Sequence, residues 1–175
     1  MAQMMPLTIA TPDLCLVACS AEVARTIGVD RALAAELCGF ALHDDWPDRD
    51  LPGVLESYAK LIAAYPDKIG WGVWLFCREG VVIGDGGFHG PPKEGRVQIG
   101  YSIVPQHQRR GYATQAVRAL CGWAAKRGVD SIEAHCAPGN AASARVLTKC
   151  GFTETPMSPQ RDGTFTDRKW LLGRA

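Results

Sequence analysis

Between Val97 and Ala124 the sequence changes its period. Residues 97–104, VQIGYSIV, read as a β-strand. From Ala113 onward Ala113, Ala116, Val117, Leu120, Cys121 and Ala124 recur at the spacing of one helix face. Only the segment PQHQRRGY separates the two. A strand that passes straight into a helix returns to its sheet by a crossover. The next strand-like stretch, Ser131–Ala137, is therefore expected to run parallel to the first. Gly128 is a natural stop for the intervening helix.

The chain on either side fills in a mixed sheet. Residues 13–19 suit a first strand, Ser20 can cap a helix over 21–27, and Asp30 another over 31–39. Residues 41–53 mix acids, prolines and glycine and read as an exposed loop, followed by a helix over 54–64. Trp71–Cys77, Val81–Phe88 and Val97–Val104 form an antiparallel meander, with Glu79-Gly80 and the HGPPKEGR segment as its turns. After the crossover, Asn140 precedes a second helix ending at Gly151. Phe152–Met157 and Phe165–Leu172 read as a final strand pair. The expected class is a mixed α/β, α+β-like fold, antiparallel early and with one parallel pair, in a single domain over residues 1–175.

Composition removes several functions. With 175 residues and a formal charge of +1, the chain lacks the basic excess of a general nucleic-acid binder. The seven cysteines, at 15, 19, 38, 77, 121, 136 and 150, are irregularly spaced, and no second close pair completes a zinc set. They read as scattered thiols of a reducing compartment, and no metal is expected. The N-terminal residues carry neither a basic region nor an apolar run, and no stretch approaches a membrane span. A cytoplasmic protein is the expectation.

The segment between strand and helix has two readings. A helix start offers unpaired backbone N–H groups and a positive dipole end, and a loop entering it from a strand aims those groups at an anion. Gly111 permits a sharp turn and a close approach, Ala113 is small, and Arg109 and Arg110 add charge. The other reading is a solvated arginine pair beside a glycine turn. Neither the Walker phosphate loop nor the dinucleotide glycine fingerprint is present.

Gln108-Arg109-Arg110-Gly111-Tyr112-Ala113 resembles the Q/R-x-x-G-x-G/A signature of the GNAT superfamily of acyl-CoA N-acyltransferases. The surrounding text, GGFHG…VQIGYSIVPQHQRRGYATQAV followed by IEAHCAPGNAASARVLTKCGF, is similar over residues 70–157. It most resembles the subgroup of ribosomal-protein N-terminal acetyltransferases. The resemblance implies a GNAT fold with helices on both faces and acetyl-CoA as cosubstrate. Its pyrophosphate would accept hydrogen bonds from the Arg109–Thr114 backbone. Its pantetheine arm would lie beside Ile103 and Val104, in a wedge where that strand splays from Ser131–Ala137. Lys149 and Arg145 are candidates for the adenine 3′-phosphate, and Asn140 for a pantetheine contact, although it also reads as a plain helix cap.

Acyl transfer to an amine needs a neutral amine, a donor for the developing oxyanion and a proton for the departing thiolate. The resemblance offers Ser143 as the thiol-side acid and a backbone N–H near Val104 as the oxyanion donor. Many relatives carry a glutamate where this chain has Gln98, which cannot take a proton near neutrality. His89, Glu133 with His135 on the same strand face, and Asp85 remain as candidate bases, each equally readable as a turn or core residue. The acidic run Asp44, Asp45, Asp48 and Asp50 suits a cationic acceptor or a solvated loop, and Trp46 reads as packing or as part of a lid. Cys136 and Cys150 sit in apolar stretches that do not favour a thiolate, so a covalent cysteine route is not expected. The expected activity is N-acetyl transfer to a small-molecule amine or a protein N-terminus, by direct attack in a ternary complex. A non-catalytic acyl-CoA-binding or sensing module is the alternative. Neither monomer nor homodimer is favoured, and no nucleic-acid or membrane partner is expected.

Overall fold

The computed structural model describes residues 6–48, 51–156 and 167–173. The chain opens with β1 (Thr8–Ala10), β2 (Cys15–Ala18), α1 (Ala21–Thr26), α2 (Arg31–Cys38), β3 (Ala41–Leu42) and α3 (Leu51–Ala64). The meander β4 (Val73–Arg78), β5 (Val81–Phe88) and β6 (Arg96–Ile103) follows, then α4 (Tyr112–Ala125), β7 (Ser131–Cys136), α5 (Ala141–Lys149), β8 (Thr153–Glu154) and β9 (Arg168–Gly173). The sheet order is β1-β2-β4-β5-β6-β7-β9-β8, with β3 joined to β5.

The local signals work as expected. Ser20 accepts a hydrogen bond from Val23 N–H and Asp30 from Leu33 N–H, capping α1 and α2. Glu79 and Gly80 both take positive φ, 49° and 81°, the geometry of a tight hairpin turn. Two expectations fail. The loop predicted over 41–53 contains β3, which pairs parallel with β5 at Ala41↔Val81, just beyond the point where β6 stops pairing at Gly84↔Ile103. It also contains the start of α3, because Pro52 is tolerated in a helix's first turn and Leu51 is buried. The predicted first strand is shorter, with β1 added before it. The final pair is reduced to β8 and β9, and Met157, Phe165 and Thr166 lie outside the described residues.

Helices cover both faces. Trp123 of α4 packs edge-on against Trp71 and Trp74 and stacks on Phe88, with ring centroids 4.7, 5.5 and 5.9 Å apart. Burying side chains of this size contributes on the order of 2–3 kcal/mol each. This cluster seats α4 on the face of β4 and β5 that carries Trp74 and Phe88. On the opposite face Trp46 donates its indole N–H to Asp85 at 2.8 Å. Trp46 is 1% exposed, so it is a core residue and not part of a lid.

The central feature is the β6–β7 pair. It is parallel, as expected, and runs from Arg96↔Ser131 to Ile99↔Ala134. Beyond that point β6 continues along β5 as far as Ile103, while β7 continues along β9 to Cys136. The two strands share no further pairs, so the sheet opens into a wedge.

Candidate active site

The register fixes which backbone groups face the wedge. His89 N–H bonds the carbonyl of Gln98, and Val104 N–H bonds that of Ile83 at 2.9 Å. Even-numbered residues of β6 are therefore spent on β5, and the N–H and C=O groups of Tyr101 and Ile103 point toward β7. Val104 N–H is therefore committed to β5, and among the groups near it the N–H of Tyr101 and of Ile103 point into the wedge.

The wedge leads into a cavity of about 610 Å³ lined by β6, the 3-10 turn Pro105–His107, the start of α4 and the first turns of α5. Gly111 is the N-cap of α4, with φ +84°, and Arg109 also takes positive φ, 61°. These reversals turn the chain so abruptly that no backbone N–H from Arg109 to Thr114 finds a backbone partner among the described residues. The first such bond runs from Gln115 N–H to Gly111 C=O. Six successive donors are thus left without a backbone partner at the start of a 14-residue helix, beside the cavity. A Cβ built on Gly111 would meet nothing within 4 Å, so its φ of +84°, and not close packing, is what calls for glycine. Gln115 anchors this end of α4: its amide accepts from Thr11 Oγ1 and Asp13 N–H and donates to Asp13.

Most of the expected cofactor residues converge here. Ile103, Gln108, Arg109, Gly111, Tyr112, Ala113, Thr114, Asn140, Ser143, Lys149 and Arg145 all line the cavity. Val104 and Arg110 do not. Gln108 spends its side-chain amide on the Ile103 carbonyl, 2.8 Å away, and so braces the loop. Tyr112 is buried under the Arg78 guanidinium, 5.3 Å from its ring centre. Asn140 Oδ1 caps α5 by accepting from Ser143 N–H at 2.9 Å. Ser143 Oγ lies 2.9 Å from the hydroxyl of Tyr101, which also bonds the Ser143 carbonyl at 3.3 Å. Burial pushes the Tyr101 phenol up to about 12, partly countered by the Ser143 hydrogen bond, so it stays protonated and able to donate. Tyr101 and His107 were missed in the sequence. Tyr101 carried a signal, since it shares the wedge-facing parity of Ile103, but its partner lies 42 residues away.

The candidate bases are elsewhere. Gln98, His89 and Glu133 are not on the cavity wall. Gln98 pairs with Glu133 across β6–β7, and the His89 Nε2 stands 3.3 Å from where a Gly100 Cβ would be. They occupy the sheet face opposite Tyr101, at the wedge's closed end. Burial, reinforced by nearby His135, holds the His89 pKa below the usual histidine value, so it is neutral near pH 7. Glu133 is held by His135 Nε2 and Lys169 Nζ, each 2.5 Å away. Burial raises its pKa, but these two partners more than offset that, and it titrates below the ordinary carboxylate range. It is a poor proton acceptor. Asp85 is buried and pushed up to about 7 by desolvation, against the Trp46 hydrogen bond. Of the acidic run, Asp50 lies outside the described residues, and Asp45 is held by Gln106. Desolvation also raises the Cys150 thiol, in keeping with an inert role.

A strand, a turn with two residues of positive φ and a helix start thus border one cavity beside a splayed parallel pair. Residues 12–153 match the family model described as an acetyltransferase (GNAT) domain, and the chain belongs to that family. It is 29% identical over 118 residues to the uncharacterized N-acetyltransferase YjdG of Bacillus subtilis, covering 65% of this chain and 70% of that one. Among solved structures it resembles a putative ribosomal-protein-serine acetyltransferase from Vibrio cholerae, with TM-score 0.65, 19% identity, and 98% and 100% of the two chains covered. It also resembles a Salmonella typhimurium acetyl transferase that modifies the N-terminal serine of ribosomal protein L7/L12, with TM-score 0.68, 18% identity, and coverage of 97% and 100%. Among the described residues no helix is long and apolar enough to cross a membrane.

Proposed function

We propose that this chain is an acetyl-CoA-dependent N-acetyltransferase that transfers the acetyl group to a primary amine by direct attack in a ternary complex. The observation that carries this reading is the run of unpaired backbone donors from Arg109 to Thr114 opening on the β6–β7 wedge. Acetyl-CoA would supply an acetyl group activated as a thioester. The residues present fit it: the cradle takes the pyrophosphate, Arg145 and Lys149 of α5 lie on the cavity wall, and the N–H groups of Tyr101 and Ile103 border the pantetheine path.

Two groups on opposite sheet faces divide the proton traffic. Ser143, backed by the Tyr101 hydroxyl, donates on the cavity side, where the thiolate would need a proton. His89, neutral and standing over Gly100, accepts from the amine on the other face. Gly100 carries no side chain on the His89 face, where a Cβ would stand 3.3 Å from the imidazole Nε2. The backbone N–H of Ile103 or Tyr101 stabilises the oxygen as charge develops on it.

A thiol-release assay with acetyl-CoA tests this reading, with an acceptor panel spanning small amines and peptides with free N-termini. Acetyl-CoA-dependent thiol release with one class of amine supports it. Tight CoA binding without turnover of any amine favours the acyl-CoA-binding module, a reading kept open by Gln98 and by the doubly paired Glu133. Absence of CoA binding overturns both.

A further inference from the structure

We propose that His107 is a phosphate ligand of the cofactor cavity, so that CoA binding takes up a proton at this imidazole. The inference rests on the cradle reading above. His107 closes the 3-10 turn that precedes the cradle and lines the same cavity wall as Arg109 and Gly111. Its backbone N–H is tied to the Val104 carbonyl at 3.0 Å, and neighbouring Gln106 bonds Asp45, so the turn is held on both sides. Its ring packs edge-on to His43, with centroids 5.5 Å apart, and lies 6.4 Å from the Tyr112 ring. Nδ1 is buried with no hydrogen-bond partner among the described residues, leaving Nε2 as the nitrogen available to a ligand.

The charges facing this ring are lopsided. Arg78 at the end of β4, Arg110 in the loop and His43 from the segment after β3 all disfavour the imidazolium, and only Glu79 favours it. Burial acts in the same direction and is the largest cause, so the pKa lies below the usual histidine value. The ring is therefore neutral near pH 7 beside two arginines. A pyrophosphate in the cradle supplies the anion that the site lacks, and it must raise the pKa of His107. The sign follows. With the pKa higher in the complex than in the empty protein, affinity is greatest at low pH. It falls as pH rises through the interval between the two values.

Calorimetry with dephospho-CoA tests this, because that ligand keeps the pyrophosphate and lacks the titrating 3′-phosphate. Measured in buffers of different ionisation enthalpy, the wild-type protein should take up a fraction of a proton near neutrality. Its Kd should rise roughly three- to tenfold from about pH 6 to about pH 8. His107→Gln should show neither effect, and phosphate-free pantetheine should show none with the wild type. Imidazole NMR titration of the wild type should show the His107 pKa rising when dephospho-CoA is added, a readout that does not depend on the variant folding. Binding without proton uptake, equal uptake in His107→Gln, or an unchanged His107 pKa would overturn the proposal. Failure of dephospho-CoA to bind at all would instead overturn the cradle on which it rests.

Discussion

The two faces of β6 are built from different materials. Toward α4 and α5 the working groups are backbone: six N–H donors after the 3-10 turn and the N–H groups of Tyr101 and Ile103. On the opposite face they are side chains, His89, Gln98, Glu133 and His135, and the protonation of His89 and Glu133 depends on their neighbours. The first kind of site needs only a strand, a glycine of the right φ and a helix. The second needs particular residues brought together from separate strands. On the proposed function, a shared cosubstrate would be met by the generic face and the acceptor by the individual one.

Substitutions in each face should therefore fail differently. The largest effect belongs to Gly111→Val. A β-branched residue resists φ near +84° and fills the space left for phosphate. CoA affinity should drop at least about a hundredfold. No protein atom lies within 4 Å of the new Cβ, so circular dichroism should report an intact fold.

Ser143→Ala comes next. It should lower kcat by about ten- to a hundredfold while CoA affinity stays within about threefold, and Tyr101→Phe should do the same more mildly. Equal losses in both constants would make the pair structural. On the acceptor face, His89→Gln should cost about tenfold in kcat/KM at neutral pH. The wild-type rate should fall as pH drops through the depressed His89 pKa, because only the neutral ring accepts a proton, and the variant should lack that acid limb. A limb that persists would hand the role to another group.

The smallest effect sharpens the contrast most. Arg109→Gly keeps the backbone N–H and removes a side chain that sits at φ 61°. CoA affinity should stay within about threefold, and stability should be unchanged or higher by roughly 0.5–1 kcal/mol. A collapse in affinity would mean that the guanidinium, rather than the peptide group, holds the anion.

The same division explains what the sequence made legible. The change of period at Val104 and the glycine at 111 determine local backbone, so the strand, sharp turn and helix start were legible in one short segment, and the family resemblance chose the phosphate reading over a solvated arginine pair. Asn140 was legible as a helix cap, while the role expected of Ser143 came from the family resemblance. The acceptor face depends on register between distant strands. Glu133 looks like a base in sequence, and only the antiparallel pairing of β7 with β9 brings Lys169 to it. His89 reads as a turn residue until β5 and β6 set it over Gly100. The 41–53 segment misled for a related reason. Its prolines and acids describe a loop, while Leu51 and Trp46 are drawn inward by the core, and Ala41–Leu42 complete an edge of β5 that β6 has vacated.

The backbone cradle is tested most directly by following the amide resonances of the wild-type protein as CoA is added. Hydrogen bonding to phosphate should move the N–H signals of Arg109 to Thr114 downfield together, further than those elsewhere in the chain. Large shifts confined to other segments, with those six unmoved at saturation, would contradict it.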